Sequence, residues 1–508
     1  NYWTKFIKHD SFLGCIMENR NKWLLAIFVF TLGLRLLLAF SVDNLTYDSY
    51  YNVRQVESIK DDGLPLFDDD LSYSGRDIRF LPFFDYFMAF FALFLPVLVV
   101  AKLIPNILIS LLVVLAYFIS FKITKNEKAS LVSSLIVGIL PILFQTNKFG
   151  IESLFLPLIF LSIYSFMNID KKQYMYVYVA SFLLLSITSS ATILLILGFL
   201  IYIVLSFIEY KKINRSEMEL ILFSVFFYTW MQFIFFKEVL INEGFDFIWQ
   251  NIPTEIILNY LPRLTILEAL VLVGIIPFVT GIYVVYQSLF KSKYRNTLLI
   301  ISLSVSTTIL VWLRVIEFTF SLAFFGVMLA ILFSVFFKQI LLYLKKTKFS
   351  KCQNYLIILT IILIIPSAVI PSISYALNQD TPSDIDIEPF LWIEQNTPKQ
   401  SGITSTLREG HLVTYYSNRR NFMDDEFSLI EDIEVRFNEL NDVYTSSFET
   451  QALKIFDKYD QNYIILSDNS KEDYNITAID YLGANCFEQV YNNQATIYKI
   501  KCELKTND

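Results

Sequence analysis

The stretch Tyr47-Asp48-Ser49-Tyr50-Tyr51-Asn52-Val53-Arg54 puts one carboxylate, three phenols and a guanidinium directly after the first long apolar run. A carboxylate where an apolar helix has just reached water can hold a cation or accept a proton from a nucleophile, so Asp48 is the candidate catalytic centre. The structural alternative is that Asp48 caps a helix beginning at Ser49. A second acid, Glu152, closes the short turn Gln145-Thr146-Asn147-Lys148-Phe149-Gly150-Ile151-Glu152. It either joins Asp48 at the outer surface or is a helix-start acid favoured by the macrodipole. A third, Glu255, follows Thr254 in the polar segment 237–265, which is long enough to be a functional lid. Arg314 and Glu317 lie three apart and either pair on one helix face or leave the arginine to meet a phosphate.

The elements that must position these residues are membrane helices. Of the 508 residues 55% are hydrophobic and 17% aromatic, and the mean hydropathy of +0.50 exceeds what a soluble core of this size requires. The net charge of −7 argues against a nucleic-acid partner. Apolar runs of spanning length occur near 22–42, 100–121, 129–146, 152–169, 173–190, 191–208, 218–236, 266–289, 297–313, 316–338 and 354–372, an expectation of eleven spans. The run 82–96, bounded by Pro82 and Pro96 and interrupted by Asp85, is assigned to the outer interface. The lysine and arginine clusters at 122–128, 171–172, 211–215, 291–295 and 345–351 then share one side, which the positive-inside rule makes cytoplasmic. The amino end is cytoplasmic on this reading, and 43–99, 237–265 and 373–508 are external. The first run is expected to stay as an anchor rather than be cleaved. Asn1 in place of methionine points to a few residues missing before it.

Arg35 sits inside the first span and is expected to face other helices or snorkel outward. After Tyr50, apolar residues at 51, 53, 56 and 59 predict an amphipathic helix lying on the membrane. From Ile373 onward apolar runs shorten to strand length, as in Tyr463-Ile464-Ile465-Leu466 and Ala495 to Ile500, alternating with helical stretches such as Phe448 to Tyr459. The chain therefore divides into a transmembrane part, 1–372, and a small external α/β domain, 373–508. Cys486 and Cys502 bracket a hairpin on the oxidising side and are predicted to pair. His9 and His411 are the only histidines, which excludes a multi-histidine zinc site.

Asp48-Ser49-Tyr50-Tyr51-Asn52-Val53-Arg54 resembles the Asp-x-Tyr-Tyr-x-x-Arg element in the first external loop of membrane glycosyltransferases of fold type C (GT-C). Within them, the pattern looks like that of the archaeal and eukaryotic oligosaccharyltransferase catalytic subunits. Asp68-Asp69-Asp70 with Tyr73-Ser74-Gly75 is similar to the family's run before the second span. Phe149-Gly150-Ile151-Glu152 stands where the family has its second acidic motif, Thr254-Glu255 where it has a Thr/Ser-x-x-Glu or Ser-Glu element, and Arg314 where an arginine meets the lipid pyrophosphate. The stretches Leu391 to Pro398 and Tyr415 to Asp425 resemble the start of the family's external domain. Where the family carries Trp-Trp-Asp-Tyr-Gly, which recognises the hydroxyl residue of the acceptor sequon, this chain has Thr406-Leu407-Arg408-Glu409-Gly410 and keeps only the glycine.

The resemblance implies transfer of a sugar or oligosaccharide from a polyprenyl (dolichyl-type) phosphate or pyrophosphate to a protein or glycan acceptor outside a multi-pass plasma-membrane protein. It implies Asp48 and Glu255 as catalytic acids, and Arg314, Arg54 and Arg76 as contacts to the donor phosphate. Asp48, Glu152 and Glu255 would hold Mg2+ or Mn2+, hard cations suited to carboxylates. Two other classes stay open. One is an inactive relative serving as a binding or scaffold subunit, since two motifs are reduced. The other is a lipid-linked sugar transporter, against which the external domain and the absence of detectable internal repeats argue.

Overall fold

In the computed structural model, residues 3–209, 213–249, 252, 264–290, 295–347 and 353–503 are described. Each of the eleven apolar runs coincides with helix: α1 (Trp3–Ala39), α4 (Val97–Ser110) continuing into α5 (Leu112–Thr124), α6 (Glu127–Gly138), α7 (Glu152–Phe166), α8 (Lys172–Ser186), α9 (Ile193–Ile208), α10 (Arg215–Glu243), α11 (Ile266–Val273) with α12 (Ile275–Phe290), α13 (Arg295–Trp312), α14 (Phe318–Lys345) and α15 (Gln353–Leu377). Among the described residues six of these are long and apolar enough to cross a bilayer alone, or seven if α11 and α12, bent by 87° at Gly274, make one span. The others are shorter: α7 has 15 residues, about 22 Å of rise against a hydrocarbon core of about 30 Å. The protein is a multi-pass membrane protein. α14 lies at its centre, with 78% of its apolar window enclosed by neighbours.

Arg35 in α1 is buried and turns inward, donating to Asn106 Oδ1 (3.1 Å) and to the Leu143 carbonyl (2.5 Å). The ammonium of Lys102 in α4 caps the end of the same corner through the Asp43 carbonyl at 2.7 Å. These bonds satisfy cations that would be costly in lipid, and they fix where the chain leaves α1 for the loop that follows.

That loop is a folded layer. α2 (Ser49–Asp62) ends at Gly63 in the left-handed region, the short strands β1 (Asp68–Asp69) and β2 (Arg76–Asp77) pair antiparallel, and α3 (Phe83–Ala92) follows. With 10 residues, α3 is too short to cross a hydrocarbon core by itself. The apolar face of α2 does not lie on the membrane as its pattern suggested. Val53, Val56 and Ile59 share a core with Phe84 and Met88 of α3 and with Ile403, Leu412, Ile465 and Ile497 of the C-terminal domain. Covering that face with protein buries it more completely than an interface could.

The C-terminal domain is built on a five-stranded mixed sheet of order β4-β3-β5-β7-β6, from β3 (Gly402–Thr404), β4 (Arg420–Asn421), β5 (Gln461–Leu466), β6 (Phe487–Asn492) and β7 (Thr496–Ile500). β3 runs parallel to β4 and β5, while β7 is antiparallel to β5 and β6. The disulfide Cys486–Cys502 closes the β6–β7 hairpin, as its sequence position predicted.

Candidate functional site

Most of the 47–54 stretch is scaffold. Tyr47, Tyr50 and Tyr51 are all buried. The Tyr47 hydroxyl bonds Asn469 (2.9 Å), the Tyr50 hydroxyl bonds that of Tyr416 (3.0 Å), and the Tyr51 ring lies 5.7 Å from that of His411. The three phenols therefore dock the first loop onto the C-terminal domain. Ser49 and Asn52 face the other way and grip the turn before α7: Ser49 Oγ accepts from the Phe149 N–H (2.8 Å) and Asn52 donates to the Phe149 carbonyl (2.9 Å). Thr46 N–H to the Asn147 carbonyl completes the stitch between the two turns.

Asp48 alone keeps a carboxylate substantially open to water, with 42% of its side chain exposed. It precedes Ser49 in a helical conformation and makes no side-chain cap bond, so the capping alternative is overturned. Its Oδ1 accepts from Thr46 Oγ1, and its Oδ2 lies 3.6 Å from the Lys148 ammonium. Lys148 is the hub. Its Nζ is 3.4 Å from Glu152 and 3.5 Å from Glu317, so carboxylates from three separate segments converge on one ammonium. Burial works against the charge of Lys148, but Glu152, Glu317 and Asp48 together hold its pKa well above the ordinary lysine value. Gly150 makes the approach possible: a Cβ there would lie 2.3 Å from Glu152 Oε2. Neither Lys148 nor Glu317 was assigned to a site from sequence. The signal for Lys148 was present, since it is a basic residue in a turn placed on the external, lysine-poor side.

Two arginines expected at the donor phosphate are committed elsewhere. Arg54 grips Asp69 with both terminal nitrogens, at 2.8 and 2.9 Å, in a nearly buried pair. Asp69 also accepts from the N–H groups of Leu71 and Ser72, so Arg54 pins the hairpin of the first loop. Arg76 reaches Asp424 at 3.4 Å and the Glu426 carbonyl, both in the C-terminal domain. Around that contact Ser72 donates to Asp424 (2.6 Å), Tyr73 N–H to Asn421 (2.7 Å) and Arg436 to the Tyr73 carbonyl (3.2 Å). Both guanidinium groups are thus nearly buried against carboxylates of the fold, where they tie loops together. Arg314, by contrast, is exposed, has a left-handed backbone (φ 56°), and has no carboxylate partner among the described residues, so it does not pair with Glu317. Glu255 lies outside the described residues.

Among the described residues, one set of three metal-ligating side chains brings its atoms within 4.8 Å of one another, namely His411, Asp424 and Asp425, and that group could hold a metal ion. His411 Nε2 already meets Asp425 at 2.5 Å. Burial lowers the pKa of His411, but Asp424 and Asp425 outweigh it and push it up to about 9. Asp48, Glu152 and Glu317 lie further apart and surround an ammonium, so as arranged they do not fit a divalent ion. The glycine retained from the degenerate acceptor motif has a packing reason, since a Cβ on Gly410 would sit 2.2 Å from the Met423 carbonyl oxygen. Its neighbour Arg408 pairs with Asp473 and Asp380 and lies over the Tyr47 ring at 6.0 Å.

Helical bundle, folded first loop and trailing α/β domain together define the class, a membrane protein with the GT-C fold. No family model matches the chain. It is 35% identical over 130 residues to dolichyl-phosphooligosaccharide-protein glycotransferase 2 of Archaeoglobus fulgidus, a match spanning 25% of this chain and 22% of that protein. In structure it is similar to the oligosaccharyltransferase AglB of A. fulgidus in complex with an inhibitory peptide and a dolichol-phosphate (TM-score 0.70, 15% identity, 89% of this chain and 70% of the other). A zinc and sulfate complex of the oligosaccharyltransferase from that organism gives 0.65, at 13% identity over 87% and 67%. ArnT from Cupriavidus metallidurans bound to undecaprenyl phosphate gives 0.58, at 10% identity over 94% and 98%.

Proposed function

We propose that this chain is a membrane glycosyltransferase that moves a sugar or oligosaccharide from a dolichyl-type polyprenyl phosphate or pyrophosphate to a protein or glycan acceptor on the external face of the plasma membrane. The observation that carries the reading is the division of labour in residues 47–54. Three tyrosines, Ser49, Asn52 and Arg54 hold loops in place, and Asp48 is left at water beside a cation. The dolichol-phosphate, the undecaprenyl phosphate and the acceptor peptide bound in the similar solved structures agree with this reading. In bonds, an acceptor oxygen or nitrogen attacks the anomeric carbon, and the bond from that carbon to the phosphate oxygen breaks with its electron pair going to the phosphate. Asp48 takes the acceptor's proton. Arg314 meets the phosphate, where a fixed guanidinium stabilises the charge that develops. Glu255, on the loop 237–265, is assigned to the same cleft. Of Asp48, Glu152 and Glu255, the residues expected to hold Mg2+ or Mn2+, Asp48 and Glu152 face the Lys148 ammonium instead.

The topology that goes with this function has eleven spans, a cytoplasmic amino end and an external domain from about residue 373. Protease should therefore reach a tag after Asp508 without permeabilisation. The decisive experiment is transfer from a polyprenyl-linked sugar by the purified protein in lipid. Asp48→Asn should lower it by about 10²-fold or more, the scale of a lost acid–base group. Near-normal transfer by this variant would remove Asp48 from the mechanism. A second reading, an inactive scaffold relative, is favoured by the replacement of four residues of the acceptor motif. It predicts no transfer by wild type with any lipid-linked donor, together with retained donor binding.

A further inference from the structure

We propose that the Lys148 ammonium is the resident cation of this site, standing among Asp48, Glu152 and Glu317 where a transferase of this kind would use a divalent ion, so that this chain works without a metal. The inference rests on the transferase reading above and concerns how its charge is balanced. Three acids from the end of the first span, the turn before α7 and the turn before α14 point at one Nζ, at 3.6, 3.4 and 3.5 Å. An ordinary surface lysine pairs with one carboxylate at a shorter distance, as Lys458 does with Glu439 at 2.8 Å. Equal spacing from three acids is instead the arrangement of a central charge. A Mg2+ ion needs its oxygens at about 2.1 Å and Ca2+ at about 2.4 Å, so each acid would have to close in by about 1 Å or more while the lysine left.

The neighbourhood keeps the lysine in place. The turn that bears it is tied at Asn147 to Gln379 (3.0 Å) and to Thr46, and at Phe149 to Ser49 and Asn52. Gly150 leaves room for Glu152 to fold back onto Lys148. Glu317 is fixed from the other side by the Thr319 hydroxyl. An ammonium on a tethered stem offsets the repulsion between these acids and an incoming phosphate, as a metal would, but it cannot be removed by a chelator. Arg314, three residues before Glu317, supplies the second positive charge on the donor side.

The test uses the purified full-length chain in lipid, with Mn2+ as the probe and electron paramagnetic resonance to count bound ions. Wild type should transfer sugar at an unchanged rate after EDTA treatment. Lys148→Ala leaves three acids uncompensated, and it should bind one more Mn2+ than wild type, an ion lost again in Lys148→Ala/Glu152→Gln. The same variant should lose about 10²-fold in transfer, the scale of a removed electrostatic stabiliser, and recover part of it with Mn2+. Lys148→Arg, which keeps the charge, should remain insensitive to EDTA. Two results would overturn the proposal: wild-type Mn2+ uptake that Asp48→Asn abolishes, or equal Mn2+ uptake by wild type and Lys148→Ala. If no form of the protein transfers sugar, the transferase reading fails, while the Mn2+ count still decides the cation assignment.

Discussion

Arg54 is the residue on which the motif resemblance and the geometry disagree most sharply, and Arg54→Gln separates them. The guanidinium and the Asp69 carboxylate make two bonds of 2.8 and 2.9 Å, with only 10% and 2% of the side chains exposed. Removing one partner of a nearly buried pair leaves the other charge uncompensated and costs about 3–5 kcal/mol. Here the two backbone donors to Asp69, from Leu71 and Ser72, retain part of its stabilisation, so the lower end, about 3 kcal/mol, is expected. Asp69→Asn in the same chain removes the stranded charge, and the double variant should recover about 2 kcal/mol as a coupling term. The pH dependence has a definite sign. Burial raises the pKa of Asp69, but the Arg54 bonds and charge outweigh it and hold it below the usual aspartate value. Its contribution is therefore full above the unfolded pKa and is lost as pH falls through the folded one, and Arg54→Gln should weaken that acid sensitivity. Thermal melts in detergent give the stabilities, and transfer kinetics against donor concentration give KM. A variant that melts within a few tenths of a kcal/mol of wild type but shows a raised donor KM would refute the reasoning and return Arg54 to the phosphate.

Gly150→Ala should displace Glu152 from Lys148, because the clash is with a side-chain end that can swing away. Transfer should fall several-fold while the melting temperature barely moves, and equal loss of both would place the strain in the backbone instead. In the external domain His411 has its pKa raised to about 9 against 6.5, so its stabilisation is present below pH 6.5 and disappears as pH rises through 9. At most about 3 kcal/mol is involved. Glu426, pushed up to about 7 by burial first and Asp425 second, resists ionising and acts in the same direction as pH rises. Melts from pH 6 to 9.5 should decline in wild type and flatten in His411→Asn. Finally, Cys486→Ser with Cys502→Ser opens a loop of about 15 residues and should cost about 3 kcal/mol of external-domain stability, read by denaturant unfolding of the full chain.

Hydropathy along the chain determined the apolar helices, the strands around 463 and 497, and the Cys486–Cys502 hairpin. These are local properties: a residue's neighbours in sequence decide whether a stretch is long and apolar enough for a helix in lipid, or alternates as a strand does. The same pattern could not tell which surface covers an apolar face, and α2 was read as lying on the membrane when α3 and the external sheet cover it. Motif spacing marked Asp48, Glu152, Arg54 and Arg76 alike as charged residues near one outer surface. Only the tertiary structure separated them. It spent Arg54 on Asp69 and Arg76 on Asp424, pairs 15 and 348 residues apart in sequence, and left Asp48 at water. Lys148 and Glu317 joined the site for the same reason. Coulomb interactions depend on distance in space, and the closing of three turns brings residues 48, 148, 152 and 317 to one point that their order along the chain does not reveal.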